Sequence, residues 1–422
     1  MARSVYLHIG APKTGTTAIQ AACADAAQQL EAAGFHYLKG DRNHSERLAL
    51  AFWQQHDANR LAALRNFTPG AVDQTALRDQ LAQEIEACDP HDVILSGEEV
   101  SGFDKGELND LIEFLLSRFS RIKVIAYVRD PVSWMNSAAQ QAVKWSGDTL
   151  EGLFRRPRLP NYPARFEAAL NAIPPEDQCL RFYNSSDFDV VADFAEILGI
   201  EPKTLAVGNR PRENTALSAE AAIALSAVNE ASPPFVEYTH NPCRAFGVVA
   251  ACRLPGHKFV LPHTTIQSAA ENLAEERDWI EGRLGRIDVL PQSQVSVFEG
   301  NWFGCYRKEW EAFGISIAEK VRAAQNEKSL KSLLRARNRQ ATEPERAADL
   351  LSDAALLATD RWTMGEIAEA AVSFRHADRL NFFAKQRLMR RIEEPAADDP
   401  ALAKGNPFDR FWREDRSAAR AL

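Results

Sequence analysis

Leu7-His8-Ile9-Gly10-Ala11-Pro12-Lys13-Thr14-Gly15-Thr16-Thr17 decides how this chain is read. The apolar run over residues 5–9 has the composition of a buried strand. A loop punctuated by Gly10, Pro12 and Gly15 follows it. Then comes Ala18-Ile19-Gln20-Ala21-Ala22-Cys23-Ala24, rich in residues that favour helix. Strand, glycine loop and helix in that order aim backbone N–H groups and a helix N-terminus at one point, where an anion binds. The stretch therefore predicts a grip on a phosphate-like group.

Spacing narrows the choice. In the triphosphate-binding pattern G-x-x-x-x-G-K-[ST], Gly10 and Gly15 take the glycine positions and Thr17 the hydroxyl position. The lysine position holds Thr16, and the loop's lysine is Lys13. The cation that would reach β- and γ-phosphates is missing, and one stands where a nucleotide's 5′ end would lie. Pro12-Lys13-Thr14-Gly15-Thr16-Thr17 resembles the 5′-phosphosulfate loop of the sulfotransferase family. That family's sulfuryl donor is 3′-phosphoadenosine 5′-phosphosulfate (PAPS). The resemblance implies that Pro12, Lys13, Thr14, Gly15, Thr16 and Thr17 bind the donor. The N–H groups of residues 14–17 and the hydroxyls of Thr16 and Thr17 would hold the 5′-phosphate, with Lys13 at the bridging oxygen of the S–O bond that breaks.

A second stretch, Ile122-Lys123-Val124-Ile125-Ala126-Tyr127-Val128, reads as a buried strand that runs into Arg129-Asp130-Pro131. Asp130 suits a helix N-cap and Pro131 a first helical turn. Arg129 then stands at the carboxyl end of a strand, where open α/β sheets take ligands. The family's 3′-phosphate motif is an Arg at a strand end and a Ser eight residues on, and Arg129 and Ser137 stand at that spacing. An Arg fork matches a phosphate dianion. The resemblance runs from residue 3 to residue 230.

The acceptor needs a base. Ser96-Gly97-Glu98-Glu99-Val100 follows the second strand, and a carboxylate there faces the crevice of an open sheet. Some sulfotransferases use His at this point, and several carbohydrate sulfotransferases use Glu. The resemblance favours Glu98, with Glu99 as the alternative; if neither carboxylate serves, a histidine of the 44–66 insertion such as His44 or His56 is the next candidate. Asn209-Arg210-Pro211-Arg212-Glu213-Asn214-Thr215 is a polar loop where the family closes over its nucleotide. Arg212 and Asn214 are the candidates there for the 3′-phosphate or adenine. The loop departs from the Arg-Lys-Gly form of the phenol- and hormone-type members, which weakens any expectation of a small phenol. The activity expected is sulfuryl transfer from PAPS to a hydroxyl of a glycan or glycolipid. The alternatives are a P-loop kinase or NTPase and a nucleotide-binding scaffold without turnover. The run Arg155-Arg156-Pro157-Arg158 would meet an anionic glycan or simply face water. His8, alone on a buried strand, reads as a core residue.

Apolar strands at residues 5–9, 92–95, 122–128 and 179–182 alternate with helical stretches at 16–33, 73–87, 107–119, 132–145, 162–172 and 187–198. The fold class expected is α/β: a P-loop-type parallel sheet flanked by helices, with a mostly helical C-terminal extension. The expected divisions are a PAPS-binding core over 1–230, a loop-rich acceptor side over 231–330, a helical extension over 331–394 and a loose tail over 395–422. The net charge of −8 argues against a nucleic-acid partner. The six cysteines form no C-x-x-C pair, and His240, His257, His263, Cys243 and Cys252 match no zinc spacing, so no metal is expected. No apolar run has the length of a membrane span and no signal peptide is evident, so a cytoplasmic enzyme of bacterial style is expected.

Overall fold

The computed structural model describes residues 3–55, 72–183, 188–206, 216–231, 235–236, 239–240, 248, 251–252, 254–285, 302–358, 363–364, 367, 370–371 and 384. The chain forms two compact units. One comprises Met1–Gln141, Glu151–Ala216 and Phe259–Gly300; the other comprises Ala142–Leu150, Leu217–Lys258 and Asn301–Leu422.

The first unit is an α/β layer structure. Its elements, in order, are β1 (Ser4–His8), α1 (Thr16–Asp25), α2 (Ala27–Ala32), β2 (Phe35–Tyr37), α3 (Ser45–Phe52), α4 (Gln74–Glu86), β3 (Asp92–Ser96), α5 (Lys105–Leu116), β4 (Arg121–Arg129), α6 (Pro131–Gln141), α7 (Leu150–Arg155), α8 (Tyr162–Ala172), β5 (Gln178–Tyr183) and α9 (Val190–Leu198). A 3-10 turn, Glu98–Gly102, separates β3 from α5. The strands form one sheet in the order β2-β3-β1-β4-β5, and every pairing is parallel. A parallel sheet is covered on both faces, so its strands read as continuous apolar runs. Val5, Leu7, Val93, Ile94, Leu95, Ile125, Ala126, Tyr127 and Val128 are accordingly all buried. On one face Tyr6, Ile94, Ile125 and Tyr127 pack with Ile19 and Cys23 of α1, Leu30 of α2 and Phe194 and Leu198 of α9. Residues in between point the other way by the period of two, and α5 and α8 both pack on β4.

The topology leaves a crevice at the carboxyl ends of the central strands. After β1 the chain leaves toward β2 on one side of the sheet; after β4 it leaves toward β5 on the other. Adjacent strands whose connections part in this way leave a crevice at their carboxyl ends. β4 also overshoots β1: His8 pairs with Ile125, so Arg129 lies four residues, about 13 Å, further along.

Three elements differ from the sequence expectation. β2 was not expected; it is three residues long, too short to show a period. The helix expected over 16–33 is broken at Ala26 into α1 and α2, and no Gly or Pro marks the break. The helix expected over 132–145 ends at Gln141, and Ala142–Ser146 is a π turn.

The second unit is mostly helical. Its long elements are α10 (Ala219–Ala231), α13 (Trp302–Arg339) and α14 (Pro344–Leu357); α11 (His263–Ser268) and α12 (Ala270–Leu284) belong to the first unit. A Cβ on Gly314 would lie 2.4 Å from the Ala224 carbonyl oxygen, so α10 and α13 touch backbone to backbone. Leu333 and Ala336 of α13 share a core with Ala347, Leu351, Ala354 and Ala355 of α14. Asn229 donates to the carbonyls of Val143 and Asp148, and Glu220 accepts both the N–H and Nδ1 of His257.

Candidate functional site

The loop after β1 is shaped by three backbone requirements. A Cβ on Gly10 would lie 2.7 Å from His8 Nε2 and 3.0 Å from Thr16 Cγ2, so only glycine fits. Gly15 has φ +85° and would press a Cβ to 2.8 Å from Val190 Cγ1. Lys13 has φ 71°, a left-handed conformation that costs a residue with a side chain about 1–2 kcal/mol. Such strain persists where neighbouring contacts impose it, commonly at functional sites.

Gly15 is the N-cap of α1 and brings no side chain to the helix start. By contrast, Asp104 caps α5 with a reciprocal Glu107 box. Ala18 and Ile19 are the first residues whose N–H groups close onto the Gly15 carbonyl. The N–H groups of Thr16 and Thr17 precede them, at positions where a helix has no internal acceptor to offer. The threonine side chains divide their work. Thr14 is buried and donates to the Ala11 carbonyl at 2.6 Å. Thr16 is buried and donates to Glu98 Oε2 at 3.0 Å. Thr17 is exposed. The Thr16 proton is thus directed at a carboxylate and not at the mouth of the loop.

The second sequence motif meets the first here. Arg129 Nη1 donates to the Lys13 carbonyl at 3.3 Å, across 116 residues of chain. Trp134 Nε1 donates to the Pro12 carbonyl at 2.7 Å. The loop's carbonyls are therefore held by β4 and α6. The Arg129 guanidinium is fixed by a 2.9 Å bond from Nε to Ser133 Oγ and lies 5.7 Å from the Tyr183 ring centre. Ser137, half-buried, stands one helical turn beyond Ser133, on the same face of α6. The Arg129 backbone is clamped by Tyr162, whose hydroxyl accepts the Arg129 N–H and donates to its carbonyl, both at 2.9 Å. Burial holds the Arg129 side chain below the usual arginine range and makes it costly to leave without an anion. Asp130 caps α6 by accepting the Ser133 N–H at 2.8 Å.

The two glutamates part company. Gly97 donates to the His8 carbonyl at 3.0 Å, which extends the β1–β3 pairing and turns the chain into the 3-10 turn. Glu98 is half-buried over α1; Glu99 is exposed. Burial pushes the Glu98 carboxyl above the usual carboxylate range, against the Thr16 hydrogen bond and the charges of Lys13 and Arg165. Glu99 adds to the upward push.

His8 is buried, with Nδ1 2.8 Å from Ser96 Oγ, and burial pushes it down to about 3. It is a neutral core residue beneath the loop. His44 is buried too: Nδ1 accepts the Ser96 N–H at 3.1 Å and Nε2 faces the Leu38 carbonyl at 3.2 Å. With both ring nitrogens engaged and burial holding it down to about 4, His44 supports the end of β3 and is no substitute base. Arg155 closes α7 and pairs with Glu151. His56 and the loop with Arg210, Arg212 and Asn214 lie outside the described residues. Among the described residues no group of three or more His, Cys, Asp or Glu side chains is arranged to hold a metal ion. No helix among them is long and apolar enough to cross a membrane.

Sequence reasoning missed Ser133, Trp134, Tyr162 and Arg165. Ser133 and Trp134 lie between Arg129 and Ser137, on a helix that carries several other polar residues, so nothing local singles them out. Tyr162 and Arg165 belong to a distant helix, and nothing local announces them.

The fold defines an α/β protein with a glycine loop at the carboxyl ends of its central strands. The chain is similar to a solved structure described as the sulfotransferase domain from the Synechococcus PCC 7002 olefin synthase. The two are 16% identical, the match covers 66% of this chain and 95% of that one, and the TM-score is 0.30. No protein-family model and no curated protein matches the sequence.

Proposed function

We propose that this chain is a sulfotransferase that moves a sulfuryl group from PAPS to a hydroxyl of a glycan or glycolipid. The observation that carries the reading is the tie between Arg129 and the Lys13 loop at the carboxyl ends of β1 and β4. A ligand gripped there meets backbone N–H groups and a lysine at one end and a fixed guanidinium at the other. PAPS carries anions at both corresponding ends. The N–H groups of Thr16 and Thr17 would receive its 5′ end, and Arg129 with Ser137 its 3′-phosphate. Arg212 and Asn214 complete the reading as further ligands of the 3′-phosphate or adenine.

PAPS supplies, when bound, a sulfuryl group on a phosphate leaving group. Lys13 offsets the charge that gathers on the leaving oxygen, an electrostatic contact of the kind worth about 3–4 kcal/mol. Glu98 accepts the acceptor's hydroxyl proton. Its raised proton affinity brings it toward neutral pH, where a general base works best. Thr16 links the two tasks, since it starts the helix below the loop and orients the base. No metal takes part in this reading; Lys13 and Arg129 meet the charge.

Calorimetry with adenosine 3′,5′-bisphosphate and AMP tests the donor assignment. The bisphosphate should bind at least tenfold more tightly, about 1.4 kcal/mol. Equal affinities, or a preference for ATP with Mg²⁺, would overturn it.

A further inference from the structure

Arg165 is the side chain near the base that the reading above leaves without a task. It lies half-buried in the first turns of α8 and is held at two points. Nε donates to the Pro160 carbonyl at 2.7 Å, and Nη1 donates to Ser101 Oγ at 3.2 Å. Ser101 is buried and in turn donates to the Glu98 carbonyl at 2.7 Å. A chain of two hydrogen bonds thus runs from α8 to the backbone of the base. The guanidinium interacts electrostatically with Glu99, Glu98 and Glu276, with Glu99 most strongly of the three. The charged groups that act on Glu98 are Lys13 from the loop, Glu99 from its own turn and Arg165 from α8. α3 meets the turn at Gly97 through Ser45 and Leu48, which carry no charge.

We infer that Arg165 is a positioning residue for Glu98: it ties the Glu98–Gly102 turn to α8 through Ser101 and sets a fixed cation against the Glu98–Glu99 pair. The inference deepens the base assignment above and rests on it for its relevance to turnover. Two adjacent carboxylates repel each other, and repulsion raises the proton affinity of the buried one. A cation anchored between them and α8 answers that repulsion whatever occupies the loop. Lys13 cannot do so alone, since in the proposed reaction its charge is drawn to the leaving oxygen.

The experiment needs no acceptor. The full chain is labelled with ¹³C at the glutamate side-chain carboxyl carbons and titrated by NMR. The Glu98 signal is identified by its loss in Glu98→Gln. In Arg165→Gln the Glu98 midpoint should rise by about 0.5–1 pH unit, as for the loss of one nearby partly screened charge. Arg165→Lys, which keeps the cation, should recover most of that shift. Ser101→Ala, which leaves the cation but unties it, should raise the midpoint by a smaller amount. A residue that merely packed the helix would leave the midpoint where it is in all three. An unmoved midpoint in Arg165→Gln, or in Ser101→Ala should Arg165→Gln not fold, overturns the inference. Failure of the base assignment is read separately: Glu98→Gln would then keep its turnover even where the titration had shifted.

Discussion

Thr16→Val asks whether the loop and the carboxylate act as one unit. The substitution keeps the shape of the side chain and removes the O–H that reaches Glu98 Oε2 at 3.0 Å. A hydrogen bond to a charged group contributes roughly 1.5–3 kcal/mol. Glu98 is only partly buried, so solvent recovers some of that, and about 1 kcal/mol is the working figure. That corresponds to about 0.7 pH unit in the Glu98 midpoint. The sign follows from linkage. The folded-state value already lies above the ordinary glutamate value of 4.5, so the folded protein holds this proton more tightly than the unfolded chain. Stability from this group therefore falls as pH rises from about 4.5 through the folded-state midpoint, and Thr16→Val widens that window. Urea unfolding at pH 4 and pH 7 measures the effect. Thr16→Val should cost about 1 kcal/mol more at pH 7 than at pH 4, and the difference should vanish in a Glu98→Gln background. A pH-independent cost, or one that survives in Glu98→Gln, would refute the coupling.

Lys13→Ala should lower turnover by roughly 10²–10³-fold while binding of adenosine 3′,5′-bisphosphate falls far less; near-normal turnover would make the lysine a loop former only. Gly15→Ala should destabilise by about 1–3 kcal/mol in chemical unfolding, from φ +85° and the 2.8 Å approach to Val190; a neutral result would show that the loop can re-route. Tyr162→Phe removes the hydroxyl that both accepts from and donates to the Arg129 backbone, and should weaken bisphosphate binding several-fold with AMP binding less affected. His44 is held at about 4, so its share of stability is present above the unfolded value of 6.5 and is lost as pH falls toward 4; His44→Gln should flatten the fall between those limits.

The legible parts of the fold were those with a local cause. β1, its glycine loop and α1 are written in residues 4–25, and the α8 span, 162–172, follows from its apolar spacing and the Pro163 at its start. β2 was illegible because Phe35-His36-Tyr37 gains its strand geometry from pairing with Asp92–Ile94, not from its own composition. The break at Ala26 has no residue-level marker. Of the candidate site, the sequence offered the loop, Arg129 and the Glu98–Glu99 pair, since each sits at a strand end. Only the family resemblance favoured Glu98 over Glu99; the two adjacent residues themselves differ in what covers them, which the sequence does not show. Nor could it find Tyr162 and Arg165, which reach the site through contacts 33 and 64 residues away in the chain.

The loop's carbonyls being held by Arg129 and Trp134 has a consequence for biosynthesis. The loop residues leave the ribosome well before the donors that turn the Pro12 and Lys13 carbonyls aside, which arrive more than a hundred residues later. A nascent chain ending before β4 would contain every residue of the motif but neither of these two restraints. Lys13 would be free to leave its left-handed conformation. The anion grip proposed for the loop would therefore ripen only once residues 129–134 have docked, and a grafted copy of residues 10–17 alone should not carry it.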